Sequence, residues 1–208
     1  MLSVSHIVNA VFTSRTYVLH EAGSAACWLV DCGDVPPLVD VLSSMGGSSF
    51  VVKGVLLTHA HYDHIYGLPQ LTEMFPQVKV YTNAAGRAAL ANERLNMSRY
   101  HGDPINYTSD LVMECDEGTV IELFEGVTAT VHCTPGHHPS CLTFAVGAYL
   151  FTGDAFIPGV AVVTTLPGAD KRLAAQSVAR IQQLAAGRVI CPGHEVGQDG
   201  GAGDSQPL

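Results

Sequence analysis

The sequence predicts an α+β fold in which two β-sheets pack together with helices on the outside, and three observations lead there. Apolar, β-branched runs of strand length recur between residues 16 and 57 and again between 119 and 152. Helical spacing appears only between or after those runs. Glycine is abundant, at 21 residues, which suits many tight turns between short elements. A four-layer αββα sandwich satisfies this order, although the pattern by itself leaves α/β and α+β both open.

The elements follow in sequence. Residues 16–20, 27–31 and 51–57 read as strands ending at polar or glycine positions. Residues 36–45 read as a short helix, with proline early, where its missing N–H does no harm. A helix after His64 would bury Leu68, Leu71 and Phe75; a strand at 78–81 and an Ala-rich helix at 84–95 follow. Residues 100–110 are polar and turn-rich, hence a loop. Strands are expected at 119–124, 127–133, 141–146 and 149–152. The last helix, 170–186, keeps Leu173, Val178, Ile181 and Leu184 at helical spacing, with Gly187 placed to end it and a closing strand at 189–191. The expected organisation is one domain over 1–196 and a flexible Gly/Asp/Ser/Gln/Pro tail over 197–208.

Composition narrows the partners. With 47% hydrophobic and 14% charged residues, the chain can bury a sizeable core. A net charge of −9, with ten Lys plus Arg scattered along the chain, argues against a nucleic-acid partner, which needs a concentrated basic surface. No run approaches the roughly 18 apolar residues of a membrane span, and the N-terminus lacks the basic start and apolar stretch of a secretory signal. The six cysteines form no CxxC and no framework spacing, so a reduced, cytoplasmic setting is expected. The expected partner is a small-molecule substrate, and nothing in the pattern indicates an oligomeric state.

Chemistry concentrates in one segment, Leu56-Leu57-Thr58-His59-Ala60-His61-Tyr62-Asp63-His64. An apolar strand runs directly into three histidines and an aspartate, the ligand types of open zinc sites. On extended backbone, His59 and His61 point the same way, while Asp63 and His64 continue into a turn and can face a second point. Three further strand ends deliver one ligand-type side chain each after a glycine: Gly136-His137, Gly153-Asp154 and Gly193-His194. In a packed sandwich such ends can converge on one edge. His138 adjoins one of these ligands; Tyr62, Tyr66 and Phe156 are further candidates to line a pocket. Cys32, Cys133, Cys141 and Cys191 stand beside these motifs, but strand-end positions suit them better as small buried residues.

The segments HAHYDH, TPGHH, FTGDA and CPGHE, preceded by Leu29-Val30-Asp31-Cys32-Gly33-Asp34, resemble the metallo-β-lactamase fold superfamily over residues 17–195. The resemblance implies the αββα sandwich and a dinuclear centre. His59, His61 and His137 would hold one ion, Asp63, His64 and His194 the other, and Asp154 would bridge them. Two Zn²⁺ are the implied cofactors, with iron or manganese as alternatives. Asp31 would orient ligands from behind the site. His59, His61, Asp63 and Asp154 are the residues the resemblance puts nearest the catalytic step.

Subgroups of the family differ at two of these positions. Class B β-lactamases usually carry cysteine or serine where this chain has Asp154, and flavodiiron proteins carry glutamate in place of His61. Both differences favour the branch similar to glyoxalase II, a dinuclear hydrolase of thioesters, esters or lactones in which a hydroxide between the metals is the nucleophile. No GxSxG elbow competes with that reading. Glyoxalase II typically adds a C-terminal helical domain for glutathione, and this chain is read as a short relative without it. It also lacks the Gly-Arg element common after the aspartate, so recognition would fall to the loops at 95–110 and 156–167. A persulfide dioxygenase with mononuclear iron is the alternative; an RNase Z-like nuclease and a non-catalytic metal binder stand further back.

Overall fold

The computed structural model describes residues 1–46 and 50–195; the expected tail at 197–208 lies outside them. Six strands, β1 (Leu2–Val8), β2 (Arg15–Glu21), β3 (Ala26–Val30), β4 (Val51–Leu56), β5 (Lys79–Thr82) and β6 (Val112–Glu114), lie side by side in that order. β1 to β3 pair antiparallel, and β3 to β6 are parallel. Parallel neighbours need crossover connections. These are α1 (Val35–Gly46), then α2 (Tyr62–Ile65) with α3 (Leu68–Met74), and finally α4 (Ala84–Leu90). The second sheet contains β7 (Val120–Phe124), β8 (Val127–Cys133), β9 (Leu142–Val146), β10 (Tyr149–Gly153) and β11 (Val189–Pro192), ordered β11-β10-β9-β8-β7. Its one parallel pair, β10 with β11, is bridged by α5 (Lys171–Leu184).

The period-two alternation of the strands builds the layers. In β3, Cys27 and Leu29 join the cluster under α1 and α3, with Leu38, Leu42, Leu68 and Leu71. Trp28 and Val30 point the other way, into a second cluster with Leu142, Phe144 and Phe151 of the opposite sheet. β9 is buried at every position because Ala145 meets a third cluster that includes Ile181 of α5. Helices, sheet, sheet, helix: the four layers are those expected. Phe144 and Phe151 are the bulkiest of the fully buried side chains.

The structure revises several boundaries. The helix expected over 84–95 stops at Leu90, because the Asn92 side chain accepts from the N–H groups of Arg94 and Leu95 and bends the chain into a turn. Residues 91–110 are then pinned by Asn96, which is fully buried. Its amide donates to the carbonyls of Ala89 and Ile105 at 3.0 and 2.9 Å and accepts from Ser98 N–H at 3.0 Å. A 3₁₀ turn, Ser98–His101, lies within this loop. In α5, Asp170 is the N-cap, accepting from Arg172 and Leu173 N–H. The helix's inner stripe is Ala174, Ser177 and Ile181, with Leu173, Val178 and Leu184 only half-buried beside it. Strands β1 and β6 were not expected.

Four strand ends open onto one edge. β4 leads into residues 57–64, β8 into 134–137, β10 into Asp154, and β11 into His194. Parallel pairing places Gly153 opposite Pro192, and the Leu142 N–H donates to the Thr58 carbonyl at 2.7 Å, tying the two sheets together at this edge.

Candidate metal centre

All seven expected ligands meet at that edge. His59, His61 and His137 present ligand atoms within 4.8 Å of one another, as do Asp63, His64 and His194, and also His59, His64 and Asp154. Asp154 faces both sides. Its carboxylate lies 3.6 Å from His137 Nε2, 3.2 Å from His194 Nε2 and 3.4 Å from His64 Nε2. Asp63 Oδ2 is 3.2 Å from His194 Nε2 and 3.4 Å from His64 Nε2.

The glycine before each strand-end ligand has a steric reason. A Cβ on Gly193 would sit 2.2 Å from Asp154 Oδ1 and 2.9 Å from His64 Cε1. Gly153 has φ +50°, and a Cβ there would lie 2.4 Å from Thr58 Oγ1. Any side chain at these positions would push the ligand-bearing segments apart.

Acceptors behind the histidines set their tautomers. His64 Nδ1 donates to Asp31 Oδ2 at 2.8 Å, His137 Nδ1 to the Val163 carbonyl at 2.9 Å, and His194 Nδ1 to the Phe12 carbonyl at 2.8 Å. Each bond leaves Nε2 turned into the donor cluster, the arrangement a ligating imidazole needs. Asp31 is buried and also accepts from Thr58 N–H and the Thr58 hydroxyl, both at 2.7 Å; its own φ is +60°. Thr58 Oγ1 in turn lies 3.3 Å from His59 Nδ1. Ser14, fully buried, donates its hydroxyl to the Asp63 carbonyl at 2.7 Å. The positions of Asp31 and the seven ligand candidates were legible in the sequence. Thr58, Ser14 and the two backbone carbonyls were not: a main-chain acceptor carries no side-chain signature.

The donor set fits divalent metal ions. His59 Nε2, His61 Nε2 and Asp154 Oδ1 are buried without a hydrogen-bond partner among the described residues, although buried polar atoms are nearly always paired. Electrostatics divides the cluster. Burial, reinforced by neighbouring histidines, holds His59 well below the ordinary histidine range and His61 down at about 3, so both rings are neutral. Burial also acts to lower His64 and His194, but facing carboxylates reverse it. Asp63, Asp154 and Asp31 raise His64 well above its usual value, and hydrogen bonds to Asp154 and Asp63 raise His194 to about 10. Asp63 and Asp154 are lowered in return, the pull of His64 outweighing their burial. His59 and His61 thus stand ready as neutral ligands, and the Asp63–His64–His194 set is held together by protons that a cation would displace.

The remaining candidates separate. His138 is buried against the His61 ring (centroids 4.7 Å apart), bonded through Nδ1 to the Ser140 hydroxyl at 2.6 Å, and lowered to about 4 by burial. Tyr62 stacks on His101 at 4.8 Å and donates to Asp103, while Tyr66 donates to Asp34. Phe156 does not face the site: it packs against the cluster under α5. Its neighbours do the lining instead, for a cavity of ≈ 30 Å³ enclosed by His137, Asp154, Ile157 and residues 160–163. Burial raises all six thiols, Cys191 to about 11 and Cys27 and Cys115 to about 12, which fits packing rather than chemistry.

Sandwich, strand-end ligands and tautomer-setting acceptors together define a metallohydrolase-type scaffold, and comparison with known proteins gives the family. The model of the metallo-beta-lactamase superfamily matches residues 10–194. The chain belongs to that superfamily. A hydroxyacylglutathione hydrolase of Hamiltonella defensa subsp. Acyrthosiphon pisum (strain 5AT) is 30% identical over 173 residues, which are 81% of this chain and 57% of the relative. The chain thus spans little more than half of that relative's length. Among solved structures, the BLEG-1 B3 metallo-beta-lactamase is 26% identical with a TM-score of 0.81, covering 93% of this chain and 92% of the other. TTHA1623 in a di-iron-bound form is 27% identical with a TM-score of 0.75, covering 92% of each chain.

Proposed function

We propose that this chain is a dinuclear metal-dependent hydrolase of a small thioester, ester or lactone. The observation that carries the reading is the pair of His/Asp donor groups meeting at Asp154, with buried His59, His61 and Asp154 atoms left unpartnered. His59, His61 and His137 would hold one ion, Asp63, His64 and His194 a second, with Asp154 between them. When bound, such ions supply an ionised water near neutral pH and a Lewis acid for a carbonyl oxygen.

The chain's own residues do the rest. Asp31 and the Val163 and Phe12 carbonyls hold three imidazoles with Nε2 facing inward. Asp63 and Asp154 would offset the cationic charge of bound ions in this largely buried setting. The small cavity beside His137 and Asp154 has otherwise aliphatic walls and room for a group of methyl or ethyl size, which supports a short acyl chain on one side of the carbonyl. Ser140, next to the site, is fully buried, with its hydroxyl engaged by Ala60 N–H and His138, so it is no free nucleophile. Likeness to a hydroxyacylglutathione hydrolase supports thioesters within this class, and among the described residues no helix is long and apolar enough to cross a membrane.

Metal content by elemental analysis on protein purified without chelator, followed by a thioester, ester and lactone panel, tests the proposal. Two equivalents of divalent metal with turnover of any panel member is the expected result. One equivalent of iron, oxygen uptake with a persulfide and no hydrolysis would replace it with the dioxygenase reading.

A further inference from the structure

The connection between β1 and β2 contains two adjacent left-handed residues that are not glycine, Phe12 at φ 53° and Thr13 at φ 54°. Ser14 N–H closes the turn by donating to the Val11 carbonyl at 3.1 Å. Positive φ at both central residues is the type I′ geometry, for which Asn-Gly is the favoured pair. An aromatic followed by a β-branched residue is a poor choice there, and such strain concentrates at functional sites.

The main chain of this turn has visible work: Phe12 O accepts from His194 Nδ1, and Thr13 O accepts from Glu195 N–H at 2.9 Å. Asn-Gly would offer the same two carbonyls, so these bonds do not account for the phenyl ring. Phe12 is 61% exposed. Its ring meets His101 edge-on at 5.4 Å, and His101 stacks on Tyr62 at 4.8 Å with 7° between planes. Tyr62 sits between His61 and Asp63 in the chain, and the Phe12 carbonyl holds His194, so both ends of the row of rings belong to segments that carry the metal-site residues.

We propose that Phe12, His101 and Tyr62 form an aromatic platform that receives a flat or apolar group of the substrate on the His194 side of the centre, with Phe12 determining specificity. The inference rests on the hydrolase reading and adds the substrate class to it. The aliphatic cavity beside His137 takes the short side of the carbonyl, and the platform takes the other.

The test compares metal-loaded wild type with Phe12→Asn and Thr13→Gly on S-phenyl and S-methyl thioacetate, which share an acyl group. Phe12→Asn raises KM for the phenyl thioester about 5–10-fold more than for the methyl one. Thr13→Gly keeps the ring and relieves strain, so it raises Tm by about 2–4 °C and leaves the ratio of the two KM values at the wild-type level. His101→Ala, which leaves the turn intact, shifts the ratio in the same direction as Phe12→Asn and stands in if that variant does not fold. An unchanged KM ratio in both ring variants overturns the platform while hydrolysis continues. A wild type that cleaves neither of these thioesters nor any other ester or lactone of the panel overturns the hydrolase reading and the platform with it.

Discussion

Replacing Asp31 by Asn separates orienting a ligand from being one. The carboxylate accepts three hydrogen bonds: Thr58 N–H at Oδ1, and the Thr58 hydroxyl with His64 Nδ1–H at Oδ2. Asn is among the residues that tolerate positive φ, so the backbone at +60° is not disturbed. If the amide oxygen stays on Thr58 N–H, the new NH₂ faces His64 Nδ1 and forces the other tautomer, with the proton on Nε2. That nitrogen lies 3.4 Å from both Asp63 and Asp154 and cannot bind metal while protonated. If the amide turns over, its NH₂ meets Thr58 N–H, leaving a buried donor unpaired at a cost of about 1–3 kcal/mol. Either route weakens the Asp63–His64–His194 set by about 10–100-fold, or about 1.4–2.8 kcal/mol. Asp31 reaches His59 only through Thr58, so the first set should lose much less. Competition titration of metal-free protein with a chromophoric chelator resolves the two equivalents, and circular dichroism checks the fold. A folded Asp31→Asn protein binding both equivalents as tightly as wild type would refute this account of His64.

Other consequences are equally measurable. In metal-free protein the raised His194, paired with Asp63 and Asp154, adds stability that is fully present below pH 6.5 and is lost as pH rises through about 10. The lowered carboxylates add stability present above pH 3.8 and lost as pH falls through their folded values. His59, His61 and His138, lowered by burial, take up protons more readily in the unfolded chain, so stability also drops as pH falls below 6.5. Thermal melts of the metal-free form should therefore fall on both sides of a maximum near pH 6.5, and a flat profile from pH 6.5 to 10 would show that the His194 pair is not charged. Asp154→Ala should lower occupancy of both ions by elemental analysis; two retained equivalents with full turnover would remove it from between the sets. Asn96→Ala leaves two carbonyls and one N–H without their buried partner, so about 2–4 kcal/mol of stability should go, with faster hydrogen exchange across residues 91–110.

The parts legible in the sequence are those that side chains write there. His59 to His64 and the three Gly-ligand pairs announce themselves by residue type, and β3 announces its two-sided burial through unbroken apolar character from Cys27 to Val30. β1 escaped notice because serine and histidine interrupt it; Leu2 and Val4 nevertheless pack against the inter-sheet core. β6 is three residues long and offers no periodicity. The end of α4 turned on a single side chain, Asn92, bonding back to its own turn. Phe156 looked like a pocket residue from its position after Asp154, yet the Thr152 hydroxyl donates to its carbonyl and the ring lies on the core side.

The two backbone acceptors behind His137 and His194 have a consequence for how the molecule can change. Val163 and Phe12 hold those imidazoles with carbonyl oxygens, and every amino acid brings a carbonyl. Both loops can thus exchange side chains while the grip on the imidazoles persists. Under the proposed function, holding metal and choosing substrate become separable properties, written respectively in the main chain and the side chains of the same two segments.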